Sequence, residues 1–236
     1  MLSFSGRSQS VGISGMIINR DIQLFHLKDS VFVHVSWDSL QDYGRFSSNG
    51  LIVVKNAKAL MVDTPMDTIK TLAIVNYLEQ NWKVEIQQFI PGHYHSDCLG
   101  GLEALHRKGV NSLAHRLTIE KCLEQGLSIP HTAFSGDTVW LFQGLPVECF
   151  YPGGGHTIDN IVIYFRDQKI LFGGCLVKSS ESKGKGNISD AILDEWPLSI
   201  RKVNEHFPDT EIVIPGHGKW GGRELLAHTL RLVEDE

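Results

Sequence analysis

Short apolar runs rich in β-branched residues alternate along this chain with segments of helical period. Residues 22–27 and 31–37 read as two strands turned at Lys28-Asp29-Ser30, and 51–55 and 59–63 as a second pair around Asn56-Ala57. The period then changes. Ile69, Leu72, Ala73 and Leu78 recur at helical spacing behind Asp67, an N-cap type, and predict a helix to about Asn81. A strand over 84–90 follows, then a short helix over 99–108 stopped by Gly109, and a helix over 117–125 with Gly126 as its C-cap. Strands are expected at 138–142, 147–151, 161–165, 169–172 and 211–214. Between the last two, Asp194 is the expected cap of a helix running to Phe207, and a helix over 223–234 closes the chain. Two β/α halves in this order predict two sheets packed face to face with helices outside, a four-layer αββα sandwich of the α/β (α+β) class. No Pro- or Ser-rich linker separates the halves, so residues 1–236 are read as one domain, with 1–21 peripheral to it.

Composition narrows the function classes. The 236 residues are 42% hydrophobic, enough for a sizeable core, and no run of about 18 apolar residues is present to span a membrane. A formal net charge of −5 without a Lys/Arg block argues against a grip on phosphate backbones, so no nucleic-acid or membrane partner is expected. Residues 1–10 hold one Arg and no apolar core, which is not a secretory signal. The four cysteines permit two disulfides, but a chain of this length folds without them.

The histidines and glycines change the picture more. His93-Tyr94-His95-Ser96-Asp97, His156, Cys175 and His217 each fall at the end of an expected strand, and twelve of the 23 glycines surround them. Ile90-Pro91-Gly92-His93 and Ile214-Pro215-Gly216-His217 echo each other. In an extended segment His93, His95 and Asp97 project to one side, because the strand period is two. Imidazoles, a thiolate and a carboxylate are zinc ligands, and six of them suit two ions rather than one tetrahedral site. The expected division is His93, His95 and His156 on one zinc and Asp97, Cys175 and His217 on the other, each with an open position as catalytic sites have.

At these residues the sequence resembles the metallo-β-lactamase superfamily, over nearly the whole chain from about Ile22. The resemblance is carried by His93-Tyr94-His95-Ser96-Asp97-Cys98-Leu99-Gly100-Gly101, Gly154-Gly155-His156-Thr157-Ile158-Asp159-Asn160, Phe172-Gly173-Gly174-Cys175-Leu176-Val177-Lys178 and Pro215-Gly216-His217-Gly218, with Val62-Asp63-Thr64-Pro65 at a further strand end. It is greatest toward the class B β-lactamases with a three-His site beside an Asp-Cys-His site, the Bacteroides-type carbapenem-hydrolysing enzymes in particular. Cys98 and Cys175 stand where thioesterases, nucleases and glyoxalase-like relatives usually carry a second His and a bridging Asp.

The resemblance implies zinc-dependent hydrolysis of the β-lactam amide bond of penicillins, cephalosporins and carbapenems by a zinc-bridging hydroxide, which confers antibiotic resistance. Asp97 then orients the hydroxide. Lys178 binds the substrate carboxylate, and Asn187 sits near the lactam oxygen. The segment 37–46 is a mobile hairpin whose Trp37, Tyr43 or Phe46 covers the ring system. Asp63 supports the ligand loops by hydrogen bonds. Cys98, on the other side of the extended chain from Asp97, is a small buried thiol, as are Cys122 and Cys149. A monomer in the periplasm, with a small-molecule partner, is expected. The alternatives are another two-metal hydrolase of this fold, acting on thioesters or lactones, and a zinc-binding protein without catalysis.

Overall fold

The computed structural model describes residues 15–41 and 44–234. Eight strands form the first sheet in chain order: β1 (Gly15–Asn19), β2 (Ile22–Lys28), β3 (Val31–Leu40), β4 (Gly44–Lys55), β5 (Lys58–Val62), β6 (Glu85–Ile90), β7 (Asn111–His115) and β8 (Thr132–Phe134). Pairing is antiparallel as far as β5 and parallel from β5 to β8. The second sheet runs β13 (Ile212–Pro215), β12 (Ile170–Gly174), β11 (Val162–Phe165), β10 (Leu145–Phe150) and β9 (Thr138–Phe142), with only β12 and β13 parallel.

The alternation along each strand divides its side chains between two cores. Val31, Val33, Leu51, Val53, Leu60 and Val62 face Val147, Ile163, Phe165, Ile170 and Phe172 across the space between the sheets. The opposite faces bury against helices. Ile52, Met61 and Phe89 pack on Ile74 and Val75 of α1 (Thr68–Tyr77), Leu99 of α2 (Ser96–Leu99), Leu102 and Leu105 of α3 (Leu102–Arg107) and Cys122 of α4 (Arg116–Gln125). Tyr164, Leu171 and Val213 pack on Trp196, Ile200 and Val203 of α5 (Trp196–His206) and Leu225 and Leu226 of α6 (Glu224–Glu234). The result is the expected four layers. No helix among the described residues is long and apolar enough to cross a membrane.

Several local expectations need correction. Residues 15–19 are not peripheral: they form the edge strand β1, and Met16 and Ile18 pack on the outer core. The helix expected over 99–108 is broken into α2 and α3 at Gly100-Gly101, where Gly100 is packed against the Met66 backbone and Gly101 against Thr71. Asp67 does cap α1, its carboxylate accepting the Lys70 N–H at 2.7 Å, and the helix passes into a π turn over Leu78–Trp82. Asp194 does not cap α5: Glu195 holds that position without a side-chain cap, and its Oε2 instead accepts the Gly154 N–H at 2.8 Å. All four cysteines are buried and free.

The parallel strand pairs β5–β6 and β12–β13 end at the same edge of the sandwich. Long-range backbone bonds tie the loops there: Asn49 N–H donates to Gly216 O at 2.8 Å, and Ile161 N–H to Gly92 O at 2.9 Å. The Asn49 amide also donates to Pro215 O and Gly218 O, each at 2.8 Å.

Candidate metal centre

All six expected ligands meet at that edge. His93 follows β6. His95 is the N-cap of α2, with extended backbone, and Asp97 lies within the helix. The one-sided extended His-x-His-x-Asp segment is therefore a correction: the chain turns helical after His95, and Asp97 reaches the site as the i+4 neighbour of His93. Their side chains approach to 3.9 Å. This turn also brings Cys98 into the site rather than away from it, with Sγ 3.1 Å from His93 Nδ1.

The three imidazoles of His93, His95 and His156 have ring centroids 4.7–5.2 Å apart, and one nitrogen of each lies within 4.8 Å of the others. A second group, His93, Asp97, Cys98 and Cys175, meets the same limit. His217 completes it. Its Nε2 is 3.1 Å from Asp97 Oδ2 and 3.4 Å from Cys175 Sγ, and its Nδ1 donates to Ser47 O at 2.8 Å, which fixes the ring. Gly216 makes this possible: a Cβ there would stand 2.4 Å from Cys175 Sγ.

The protonation states of His93, His156, Cys175 and Asp97 suit a cation. Cys175 and Asp97 raise the neighbouring His217 against its own burial, and it would give up its Nε2 proton on ligating. Burial holds His93 down to about 3 and His156 well below its usual range, so both are neutral. Hydrogen bonding from Cys98 brings Cys175 down to about 6 against its own burial, which favours a thiolate. Burial alone would raise Asp97, but the hydrogen bond and charge of His217 hold it well below the carboxylate range. His93 Nε2 is buried with no hydrogen-bond partner. A buried lone pair beside a thiolate and a carboxylate is costly unless something positive sits among them. With Nδ1–H turned to Cys98, Nε2 is free to ligate, and His95, whose Nε2 donates to Asp190 at 3.1 Å, keeps Nδ1 free. Three imidazoles next to an O, S, N set fit zinc.

A cleft of about 530 Å³ opens over these groups, and Leu40, Phe46, Met66, Lys178 and Asn187 line it. Lys178 is almost fully buried, with Nζ 5.1 Å from the Trp196 ring centroid. Asn187 stands at an exposed rim, its Oδ1 accepting the Ser189 N–H at 3.1 Å. Trp37 is elsewhere. Strand pairing runs through most of the expected mobile hairpin, to Leu40 opposite Gly44, so Trp37 lies within β3 and packs against the inter-sheet core. Phe46 lines the cleft instead, its ring 5.8 Å from that of His217. Tyr43 lies outside the described residues. Leu40, Met66 and Asp190 were not foreseen. A ligating His calls for a carboxylate partner, but nothing in the chain says which acid, 95 residues away, supplies it.

No protein-family model matches the chain. It is 41% identical over 216 residues to a metallo-beta-lactamase type 2 of Bacteroides fragilis, which covers 92% of this chain and 87% of that relative. A solved metallo-beta-lactamase from Pontibacter korlensis superposes with a TM-score of 0.88 at 37% identity, covering 91% of this chain and all of that one. The metallo-beta-lactamase FIM-1 from Pseudomonas aeruginosa, solved in a mono-zinc form, gives 0.85 at 32% identity, with 92% and 98% covered. An αββα sandwich with two adjoining donor sets at its strand ends defines a metalloenzyme. The chain belongs to the metallo-β-lactamase family.

Proposed function

We propose that this chain hydrolyses the amide bond of β-lactam antibiotics with zinc. The observation that carries the reading is the buried, unpartnered His93 Nε2 between two donor sets whose His95, Asp97, His156 and His217 line a cleft together with Leu40, Phe46, Met66 and the buried Lys178. His93, His95 and His156 would hold one ion and Asp97, Cys175 and His217 a second. When bound, zinc supplies Lewis acidity and a water acidic enough to be deprotonated near neutral pH.

The chain's own groups do the rest. Lys178 Nζ pairs with the carboxylate common to penicillins, cephalosporins and carbapenems, while Leu40 and Phe46 cover the apolar ring system. Asp97 Oδ2 is engaged by His217, which leaves Oδ1 to take a proton from the attacking water. Asn187, with Oδ1 tied to Ser189, keeps its Nδ2 hydrogens for the lactam oxygen. The water oxygen bonds to the acyl carbon, the C–N bond breaks, and the nitrogen receives a proton. Every proposed ligand comes from this one chain, which supports action as a monomer and a single domain. The periplasm, where these antibiotics meet cell-wall synthesis, is the proposed site of action.

Parallel assays with a chromogenic cephalosporin, an acyl thioester and a lactone test this, each with and without chelator. Cephalosporin hydrolysis that disappears on chelation and returns with zinc is expected. Thioester or lactone turnover without β-lactam turnover would move the assignment to another hydrolase of this fold.

A further inference from the structure

His34 is a buried histidine that the proposed chemistry does not use. It lies in β3 directly opposite Gly50 of β4. A Cβ at Gly50 would come within 2.1 Å of His34 Nε2 and 2.5 Å of Val62 O, so the imidazole occupies a gap that only glycine leaves. Through that gap Nε2 meets Asp63 O at 3.0 Å. A carbonyl only accepts, so Nε2 carries the proton, and Nδ1 has no partner among the described residues. Burial holds the ring down to about 4, which keeps it neutral.

The residue it grips is strained. Asp63 has φ +57°, a left-handed backbone that costs a non-glycine residue roughly 1 kcal/mol or more. It ends β5, and its N–H donates to Ile90 O at 3.1 Å. Held in this turn, its carboxyl accepts the Gly92 N–H at 2.5 Å, one residue before His93, and interacts electrostatically with the Cys98 thiol. Cys98 Sγ in turn lies 3.1 Å from His93 Nδ1. A continuous set of contacts thus runs from the sheet to the buried ligand: Gly50, His34, Asp63, then Gly92 and Cys98, then His93.

We propose that His34 is a positioning residue for the metal-binding loop. By fixing the left-handed turn at Asp63, it aims the Asp63 carboxyl at Gly92 and Cys98 and so sets where His93 Nε2 points. The inference rests on the zinc reading for its consequence but not for its geometry. It assigns His34 a role in ligand placement rather than in core packing alone. The imidazole fills its gap through shape as well as through its N–H, and substitution separates the two. His34→Leu keeps most of the volume and removes the donor. His34→Gln restores an N–H at similar reach.

Zinc affinity by competition with a chelating indicator, and amide exchange at Gly92 in the metal-free protein, are the readouts. For His34→Leu, affinity should fall about 10- to 100-fold, the usual effect of removing an outer partner of a ligand. Gly92 exchange should rise at least about tenfold, and His34→Gln should recover both. Unchanged affinity in His34→Leu, or equal losses in both variants with Gly92 protection intact, would overturn the proposal in favour of simple packing. If His34→Leu does not fold, nitrogen-15 spectra of the wild-type imidazole decide: a neutral Nε2–H ring at about pH 6 supports the role, and an Nδ1–H or charged ring refutes it. A wild-type chain that binds no zinc would sink the proposed function and leave the Gly92 and tautomer readouts to judge His34.

Discussion

Replacing Lys178 with Met separates the lysine charge in the cleft wall from the packing of its stem. Met keeps a stem of similar length against Trp196, over whose ring Nζ sits at 5.1 Å, and leaves the Lys178 N–H donating to Thr229 Oγ1 at 2.8 Å. Only the charge goes. Two unit charges about 4 Å apart at an effective dielectric near 20 attract by about 4 kcal/mol. Desolvating the substrate carboxylate takes back part of that, leaving about 1.5–3 kcal/mol, the range for hydrogen bonds to charged groups. The expected loss in kcat/KM is therefore about 10- to 150-fold, mostly as a raised KM. Stability should move the other way. Burial lowers the Lys178 pKa against the pull of Cys175 and Asp97, so the charged ammonium is less welcome in the folded chain than in water. The neutral Met variant should melt higher, a trade of stability against function. Steady-state kinetics on a cephalosporin and its carboxylate-free ester complete a cycle with the substitution. The ester should lose little on going to Met. An ester penalty as large as that of the acid, or an unchanged KM for the acid, would refute the pairing.

Three further outcomes follow from the geometry. Cys175→Ser should release about one of two zinc ions and cut turnover, as read by metal content; retention of both ions with full activity would remove Cys175 from the ligand set. Gly216→Ala places a Cβ 2.4 Å from Cys175 Sγ and 2.9 Å from the Gly174 carbonyl carbon. It should cost about 1–3 kcal/mol, as overpacking does, with zinc affinity reduced; melting and chelator competition check both. In the metal-free protein His34 and His93 should each lose their stabilising contribution on acidification. Asp63 and His217 contribute in the opposite direction, since their raised pKa values favour protons on the folded chain. His34 and His93 have folded pKa values of about 4 and about 3, below the usual 6.5, so protons favour the unfolded chain. Their contribution is intact above pH 6.5 and is lost as pH falls through about 4 and then 3. His34 alone accounts for about 2–3 kcal/mol by roughly pH 4.5. A urea midpoint that falls no further between about pH 7 and 4.5 in the wild type than in His34→Gln would contradict this.

Much of the architecture was legible because half-buried strands and amphipathic helices write their period into the chain. The parts that were not legible lack that pattern. Asn111–His115 carries Asn, Ser and His in a strand buried on both faces, and Thr132–Phe134 is too short to show any period. The first half of β4, Gly44–Gly50, is full of Gly, Ser and Asn because it is held by its ladder to β3 and by bonds to the His217 loop. That His93, His95, Asp97, His156, Cys175 and His217 would be brought together was readable from residue type at strand ends. Ligand geometry was not: Asp97 depends on the helical turn after His95, and Cys98 follows it into the site. The cleft wall was misplaced at Trp37, since an aromatic that serves the core and one that covers a ligand look alike in sequence. Partners such as Asp190 for His95 and His34 for Asp63 are set by tertiary contact, which no local spacing encodes.

The most direct test is native mass spectrometry of the zinc-reconstituted protein, paired on the same sample with carbapenem turnover and product mass. Two zinc ions per chain and a product heavier than the substrate by one water, with both lost after exhaustive chelation, are expected. A fully folded chain that binds two zinc ions and leaves the carbapenem intact, or one that still hydrolyses it after the zinc is gone, would contradict zinc-dependent β-lactam hydrolysis at this site.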